Sequence, residues 1–339
     1  MIFGNVELYN VVELITPEDG EGHLLSRVPN RLRMCTNEKV KNCALFAAGC
    51  EIRLNLEGGS ARIVLKREPH PPVPAMAEVL QGTFGVPWSW QRIDTEPTQI
   101  LVSLPGNIEA LRSISEERQL PFDAALTRVI LPYEPPVRLV GIEGAISPPR
   151  PGQTPCRRYL AYGSSITHGH LATAPTGTYA MRTASLLRAD LVNLGFGGGG
   201  FCEPQVADYI VERPDWDFAT LELGINLVHQ CETEEFRRRV DGFVGRIAEA
   251  CPDKWVFCID LLTCLWDFDP GSKQQDEFRE VVRKAVRKLK MPKLVHVRGR
   301  ELLKDVSGLT SDLVHPSQSG MEEIARNLSR FIHERMSQS

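Results

Sequence analysis

The chain has 339 residues, of which 42% are hydrophobic and 24% are charged, and its formal net charge is −4. This composition is typical of a globular protein and excludes disordered, collagen-like and fibrous chains. A net negative charge does not attract phosphate backbones, so no nucleic-acid partner is predicted. A chain of this length exceeds the size at which a single core usually stops growing, and two domains are expected.

The sequence predicts neither a membrane partner nor a disulfide framework. No apolar run approaches the roughly 18 residues of a membrane span, and residues 1–10 lack a basic segment followed by an apolar one. The nine cysteines are an odd number and contain no CxxC pair. Such cysteines indicate mostly buried thiols in a reducing compartment, so a cytoplasmic location is expected.

A segment rich in proline and glycine, residues 146–156, is the predicted linker. It separates an expected N-terminal domain, residues 1–150, from an expected C-terminal domain, residues 151–339. The two sides differ in pattern, because apolar residues recur with a period of two before the linker, whereas strands and helices alternate after it.

The N-terminal domain is predicted to be an all-β sandwich of jelly-roll type. Apolar and polar residues alternate from Ile52 to Glu57 and again around Ile63 and Leu65, on either side of Gly58-Gly59, which predicts a hairpin. Further strands are predicted at residues 100–104, 127–132 and 137–142. Only residues 107–117 are predicted to be helical in this domain.

The C-terminal domain is predicted to be a five-stranded parallel, doubly wound α/β sheet, because strands and helices alternate along it. Its predicted strands are residues 158–162, 190–196, 218–223, 255–262 and 293–297. The helices between and after them are predicted at residues 179–188, 204–211, 234–250, 278–289 and 321–336.

Four polar segments follow the predicted strands, at residues 163–167, 193–198, 224–226 and 312–316. Ligand sites of open parallel sheets form beyond the carboxyl ends of the strands, so these segments are expected at one edge of the sheet. Their residue types suit acyl transfer, with Ser165 as nucleophile, His315 as base and Asp312 orienting that base. The main-chain N–H groups of Ser165 and Gly198 and the side-chain amide of Asn226 are the candidate oxyanion donors.

In this order the four segments resemble the motif blocks of the SGNH hydrolases, also called the GDSL esterases and lipases. The resemblance extends from residue 157 to the end of the sequence and implies a flavodoxin-like hydrolase domain and the same role for each residue just named. It also implies a small-molecule ester substrate, with no metal and no organic cofactor. Ser164 and Ile166 depart from the family's Gly-Asp-Ser-Leu block, and Leu227 stands where many members have aspartate.

The two-domain layout is similar to that of carbohydrate esterases and tailoring acyltransferases that carry a jelly-roll module before the hydrolase domain. We therefore expect an acyl-enzyme mechanism that hydrolyses short acyl esters of a sugar or another small polyhydroxylated molecule. An acyltransferase using the same triad is the first alternative. A homo-oligomer is compatible with the sequence.

Two remote alternatives are a non-catalytic binding protein with a vestigial triad and a dinucleotide-binding oxidoreductase. The second rests on Gly195 to Gly200, which spell GxGxxG after a strand, and on Glu222 at the end of the next strand. It leaves Ser165 and the Asp312 and His315 pair unexplained.

Several other residues have two interpretations each. His168 and His229 are candidate pocket residues, while His168 and His170 lack the third ligand that a zinc site needs. Cys202 is interpreted as a small buried residue rather than a nucleophile. Trp88 and Trp90 are interpreted as core or interface packing, with a sugar-stacking platform as the alternative.

Overall fold

The computed structural model describes residues 1–70 and 73–338, in which an antiparallel β domain precedes an α/β domain with a parallel sheet. The first domain contains β1 (Ile2–Phe3), β2 (Val6–Tyr9), β3 (Glu13–Ile15), β4 (His23–Ser26), α1 (Asn30–Arg33), α2 (Glu38–Cys43), β5 (Glu51–Arg67), β6 (Ala75–Gln81), β7 (Phe84–Gly85), β8 (Gln91–Ile93), β9 (Thr98–Ser103), α3 (Ile108–Glu117), β10 (Leu126–Ile130) and β11 (Val137–Ser147).

The second domain alternates strands with helices, as the sequence predicts. It contains β12 (Arg158–Gly163), α4 (Ser165–His168), α5 (Tyr179–Leu186), β13 (Asp190–Gly195), α6 (Pro204–Glu212), β14 (Phe218–Glu222), α7 (Thr233–Ala250), β15 (Trp255–Ile259), α8 (Gln274–Leu289), β16 (Leu294–Val297), α9 (Gly299–Leu302) and α10 (Gln318–Ser337). The sheet order is β13-β12-β14-β15-β16 with all pairs parallel, which is the flavodoxin-like order.

The long strand β5 joins the two layers of the β domain. Its first part pairs with β2 and β10, and its second part pairs with β9 and β11. The predicted hairpin within this segment is wrong, because β5 is a single strand of 17 residues. Residues 57–60 are exposed, and on the β11 side these four residues stand opposite the single residue Ala145. Gly58 and Gly59 therefore allow the strand to bulge instead of reversing.

The expectation that residues 107–117 form the only helix of the first domain is also wrong. Helices α1 and α2 have four and six residues, too few for a helical period to show in the sequence. Both helices pack against the α/β domain. Leu32, Val40 and Cys43 belong to the hydrophobic core built around the parallel sheet, not to the core of the β domain.

Two buried arginines from the first domain hold the edge strand β13 at its two ends. At the start of β13, Arg53 binds both carboxylate oxygens of Asp190 at 2.6 and 2.7 Å. At its end, Arg27 donates to the carbonyl oxygens of Asn193 and Gly195, each at 2.9 Å. The β domain therefore covers an edge of the parallel sheet that would otherwise expose unpaired main-chain groups.

Among the described residues, no helix is both long and apolar enough to cross a membrane.

Candidate active site

The turn between β12 and α4 presents Ser165 at the carboxyl edge of the sheet. Glu222, at the end of the neighbouring strand β14, accepts hydrogen bonds from the main-chain N–H of Ser164 at 2.7 Å and from its hydroxyl at 2.6 Å. A Cβ atom at Gly163 would lie 2.5 Å from the Glu222 carboxylate, so only glycine fits before this turn. Burial raises the pKa of Glu222. The Ser164 and Glu222 pair holds the turn.

Ser165, His315 and Asp312 form a continuous hydrogen-bonded chain. The Ser165 Oγ and His315 Nε2 atoms are 2.8 Å apart, and His315 Nδ1 lies 2.6 Å from Asp312 Oδ2. Because an ionised carboxylate only accepts hydrogen bonds, Nδ1 carries the imidazole proton and Nε2 is left to accept from the serine hydroxyl. This is the geometry that general-base activation of a serine requires.

The Asp312 carboxylate is held ionised although its side chain is 43% exposed. Burial alone would raise the pKa of this carboxyl, but hydrogen bonds from the His315 main chain and ring, the Val314 N–H and the Thr310 hydroxyl hold it well below its usual range. The same bonds fix the carboxylate in position. Asp312 therefore stays an ionised acceptor for the histidine ring at neutral pH.

Three candidate donors lie on the loops around Ser165. Neither the Ser165 N–H nor the Gly198 N–H donates to another of the described residues. Gly198 has φ +67°, a conformation that favours glycine. The Asn226 Oδ1 atom accepts from the Gly200 N–H at 3.0 Å, which orients the amide and leaves its NH₂ group as a donor. Leu227 is buried in the core and cannot support Asn226 through a polar side chain, so that support comes from the Gly200 main chain.

The sequence of this domain matches a known family. Residues 161–323 match the GDSL-like Lipase/Acylhydrolase family. The match covers most of the second domain and slightly less than half of the chain, so it assigns that domain to the family. The protein is accordingly an enzyme of the esterase or acyltransferase type. No curated protein sequence matches the chain.

Solved structures with the same fold cover both domains of this GDSL-like chain. A salicylyl-acyltransferase from a tetracycline biosynthetic pathway has a TM-score of 0.78 at 18% identity, over 98% of this chain and 95% of that one. A family two carbohydrate esterase from Cellvibrio japonicus has a TM-score of 0.65 at 13% identity, over 98% and 96%. A family two carbohydrate esterase from Clostridium thermocellum has a TM-score of 0.62 at 17% identity, over 86% and 93%.

Residues before position 45 support the loop that carries Gly198, a contribution that the sequence alone did not reveal. The Cys43 thiol donates to the Gly197 carbonyl at 3.3 Å, and the Asn37 amide donates to the Gly199 carbonyl at 3.4 Å. The exposed Lys39 side chain lies against Gly198. The first domain of the GDSL-like enzyme therefore forms one wall of the candidate active site.

A second contribution of the β domain lies on the other side of the histidine. The rings of His170 and His315 are in edge contact, with their centroids 4.8 Å apart. His170 Nδ1 lies 2.7 Å from a carboxylate oxygen of Glu134, which precedes β11. The hydrogen bond with Glu134 raises the pKa of His170, and the same bond lowers that of Glu134 against the effect of burial. The Glu134 and His170 pair thus limits the space into which His315 can turn.

The two candidate pocket histidines make their contacts outside the triad. His168 is buried between the domains, where its ring packs edge-on against Phe46 and Tyr133 and its Nδ1 contacts the Gly195 carbonyl. Burial lowers the pKa of His168 to about 4, so the ring is neutral. His229 is exposed and its ring contacts Trp266. Neither ring is among the hydrogen-bonding partners of Ser165, Asp312 or His315.

Burial argues against two other interpretations of the sequence, a dinucleotide site at Glu222 and a nucleophilic Cys202. Glu222, which would bind a ribose in the dinucleotide alternative, is buried and committed to Ser164. Burial raises the pKa of the Cys202 thiol to about 12, so this cysteine is not a nucleophile at neutral pH.

Replacing Glu134 by glutamine is expected to destabilise the enzyme in a pH-dependent way. The pKa of His170 is raised in the folded state, so its stabilisation is complete below the unfolded value of about 6.5 and is lost as the pH rises through the folded value. We expect Glu134→Gln to lower the free energy of unfolding by on the order of 1 kcal/mol more near pH 5.5 than near pH 9. Urea unfolding at the two pH values measures this difference.

The matched control is Glu18→Gln, which removes an exposed carboxylate that is not paired with a histidine in the described part of the chain. It should change the free energy of unfolding equally little at both pH values. A loss of stability in Glu134→Gln that does not vary with pH would contradict a charged Glu134 and His170 pair.

Proposed function

We propose that this enzyme is a serine-dependent ester hydrolase that works through an acyl-enzyme, with Ser165, His315 and Asp312 as its catalytic triad. The observation that carries the proposal is the unbroken chain of hydrogen bonds from Ser165 Oγ through both ring nitrogens of His315 to Asp312. A serine that caps a helix has no need of such a chain.

In the proposed mechanism, Ser165 Oγ attacks the ester carbonyl carbon while His315 Nε2 takes the hydroxyl proton. Asp312 stabilises the resulting imidazolium. The N–H groups of Ser165 and Gly198 and the Asn226 amide donate to the oxyanion, a contribution of about 10²- to 10³-fold in turnover for one such donor. His315 then returns the proton to the departing alcohol, and the ester bond of the substrate is replaced by one to Ser165.

Water completes the cycle by attacking the acyl-enzyme, again with His315 as the base. The His315 side chain is 18% exposed and that of Asp312 is 43% exposed, so water reaches the triad directly. The second half-reaction releases the acid and restores the Ser165 hydroxyl. We propose that hydrolysis is the ordinary outcome.

We propose short acyl esters of a sugar or another small polyhydroxylated molecule as substrates. The support is the set of carbohydrate esterases among the structures with this fold, together with a triad that lies open to polar solvent. All nine cysteines are unpaired, which supports the further proposal of a reducing, cytoplasmic setting.

The nucleophile assignment predicts that a fluorophosphonate probe adds one equivalent to the native enzyme and none to Ser165→Ala. The variant should also lose turnover of p-nitrophenyl acetate, because no other hydroxyl contacts His315 Nε2 among the described residues. Intact-protein mass spectrometry and a spectrophotometric assay provide the two readings.

The control is Ser164→Ala, which removes a hydroxyl from Glu222 one residue away. It should be labelled and should retain most of its turnover, although losing a buried hydrogen bond is expected to lower stability by about 1–2 kcal/mol. Labelling of Ser165→Ala, or equal loss of labelling in both variants, would refute Ser165 as the nucleophile.

Acyl transfer is the second candidate, because the structure of the salicylyl-acyltransferase aligns with 98% of this chain at a TM-score of 0.78. The two outcomes differ only in which nucleophile attacks the acyl-enzyme. We expect the acid released from p-nitrophenyl acetate to equal the p-nitrophenol released, with glycerol or xylose present as well as without. Chromatographic detection of an acetylated acceptor as the main product would instead identify a transferase.

A further inference from the structure

A second cavity lies between the β domain and helix α5, with a volume of about 410 Å³. Its walls include Trp88 and Trp90 from the β domain and Arg182 and Ser185 from α5. None of the triad residues lines it. Its inner end reaches Asp190 at the amino end of β13, whereas Ser165 lies at the carboxyl edge of the same sheet. The cavity is therefore separate from the candidate active site.

The two tryptophans at this cavity are exposed, so they do not pack in a core within the chain. Trp88 is 86% exposed and Trp90 is 58% exposed. Trp88 also has φ +59°, the left-handed region that a bulky residue rarely adopts. Both features lower the stability of the fold. An exposed aromatic side chain loses the free energy of burial, and a left-handed backbone conformation costs free energy for a bulky residue. Such features are characteristic of binding surfaces.

The segment that carries the tryptophan pair is hydrogen-bonded to both domains. The Ser89 hydroxyl between the two residues donates to the Val79 carbonyl at 3.0 Å, and the Trp90 indole N–H donates to Glu78 at 3.3 Å. Glu78 also accepts from the Thr176 N–H at 2.7 Å, which ties this side of the cavity to the α/β domain. These hydrogen bonds reduce the free energy that a ligand would have to spend on ordering the Trp90 indole.

The geometry of the rings argues against a flat aromatic ligand. The Trp88 and Trp90 rings are perpendicular, with an interplanar angle of 90° and centroids 6.3 Å apart. A planar molecule cannot stack on both rings at once. A chain of sugar rings can, because successive rings are rotated about the glycosidic bonds and each presents an apolar C–H face.

The charges around the cavity argue against an ionic ligand. Arg128 is paired with Glu51, and Arg182 is paired with Glu322. Glu78 has hydrogen-bond donors but no cationic partner within residues 1–70 and 73–338, so its carboxylate would repel an anion. Thr83 also lines the cavity. A neutral ligand rich in hydroxyl groups can occupy the cavity without displacing an ion pair or meeting the charge of Glu78 unfavourably.

From these observations we propose that the cavity binds a neutral oligosaccharide, with Trp88 and Trp90 as stacking platforms for two of its sugar rings. This is a non-catalytic binding site that does not involve Ser165. It would hold a carbohydrate against both domains. The local concentration of the substituents on that carbohydrate would then rise near the enzyme.

The test uses the Ser165→Ala variant alongside the native enzyme, so that binding is measured without turnover. Each is titrated with xylohexaose, cellohexaose and mannohexaose by isothermal calorimetry and tryptophan fluorescence. We expect at least one hexasaccharide to bind both proteins equally at one site per chain. Trp88→Ala and Trp90→Ala should each weaken that binding by about tenfold, because each loses one stacking contact.

The control is Leu101→Ala, which removes another strongly exposed apolar side chain outside the cavity and should leave binding unchanged. Absence of binding by all three sugars, or equal binding by the tryptophan variants, would overturn the proposal. A native dimer that becomes monomeric in Trp88→Ala, measured by light scattering, would also overturn it by identifying a protein contact. Failure of Ser165 labelling would refute the catalytic proposal alone, since the binding test does not depend on it.

Discussion

The arrangement of the candidate active site depends on the hydrogen bonds that Arg27 donates to the end of strand β13. Its guanidinium is fully buried and has no carboxylate partner among the described residues; it donates instead to the carbonyl oxygens of Cys43, Phe46, Asn193 and Gly195. One side chain thus joins the segment containing α2 to the strand that leads into the Gly198 loop. Leaving such a cation without these acceptors would be costly, so the two segments are fixed together.

This connection accounts for the close contact between the β domain and the GDSL-like domain. Arg53 and Arg27 hold the two ends of β13, and between these contacts the edge of the sheet is covered. Asn37 and Cys43 then bind the Gly198 loop, while Glu134 reaches His170 beside the triad. The β domain is part of the site's construction, and the same contact between domains leaves the cavity beside Trp88.

Much of the second domain could be predicted from the sequence because its signals are local. Strands such as Trp255–Ile259 are apolar throughout, and the polar segments after the strands are brought together by parallel topology alone. The contributions of Arg27, Asn37 and Glu134 could not be predicted in this way. Each depends on which faces of two domains meet, and no periodicity or motif spacing encodes that contact. The continuity of strand β5 could not be predicted from the sequence, because Gly58-Gly59 suits a turn and a bulge equally well.

Replacing Arg27 with methionine tests most directly whether residues before position 45 complete the active site. Turnover of p-nitrophenyl acetate is measured beside urea unfolding, with Arg31→Met, an exposed neighbour, as the control. We expect folded Arg27→Met to lose at least about tenfold in kcat, part of what a lost oxyanion donor costs, while Arg31→Met is unchanged. A folded Arg27→Met variant with native kcat would contradict the claim.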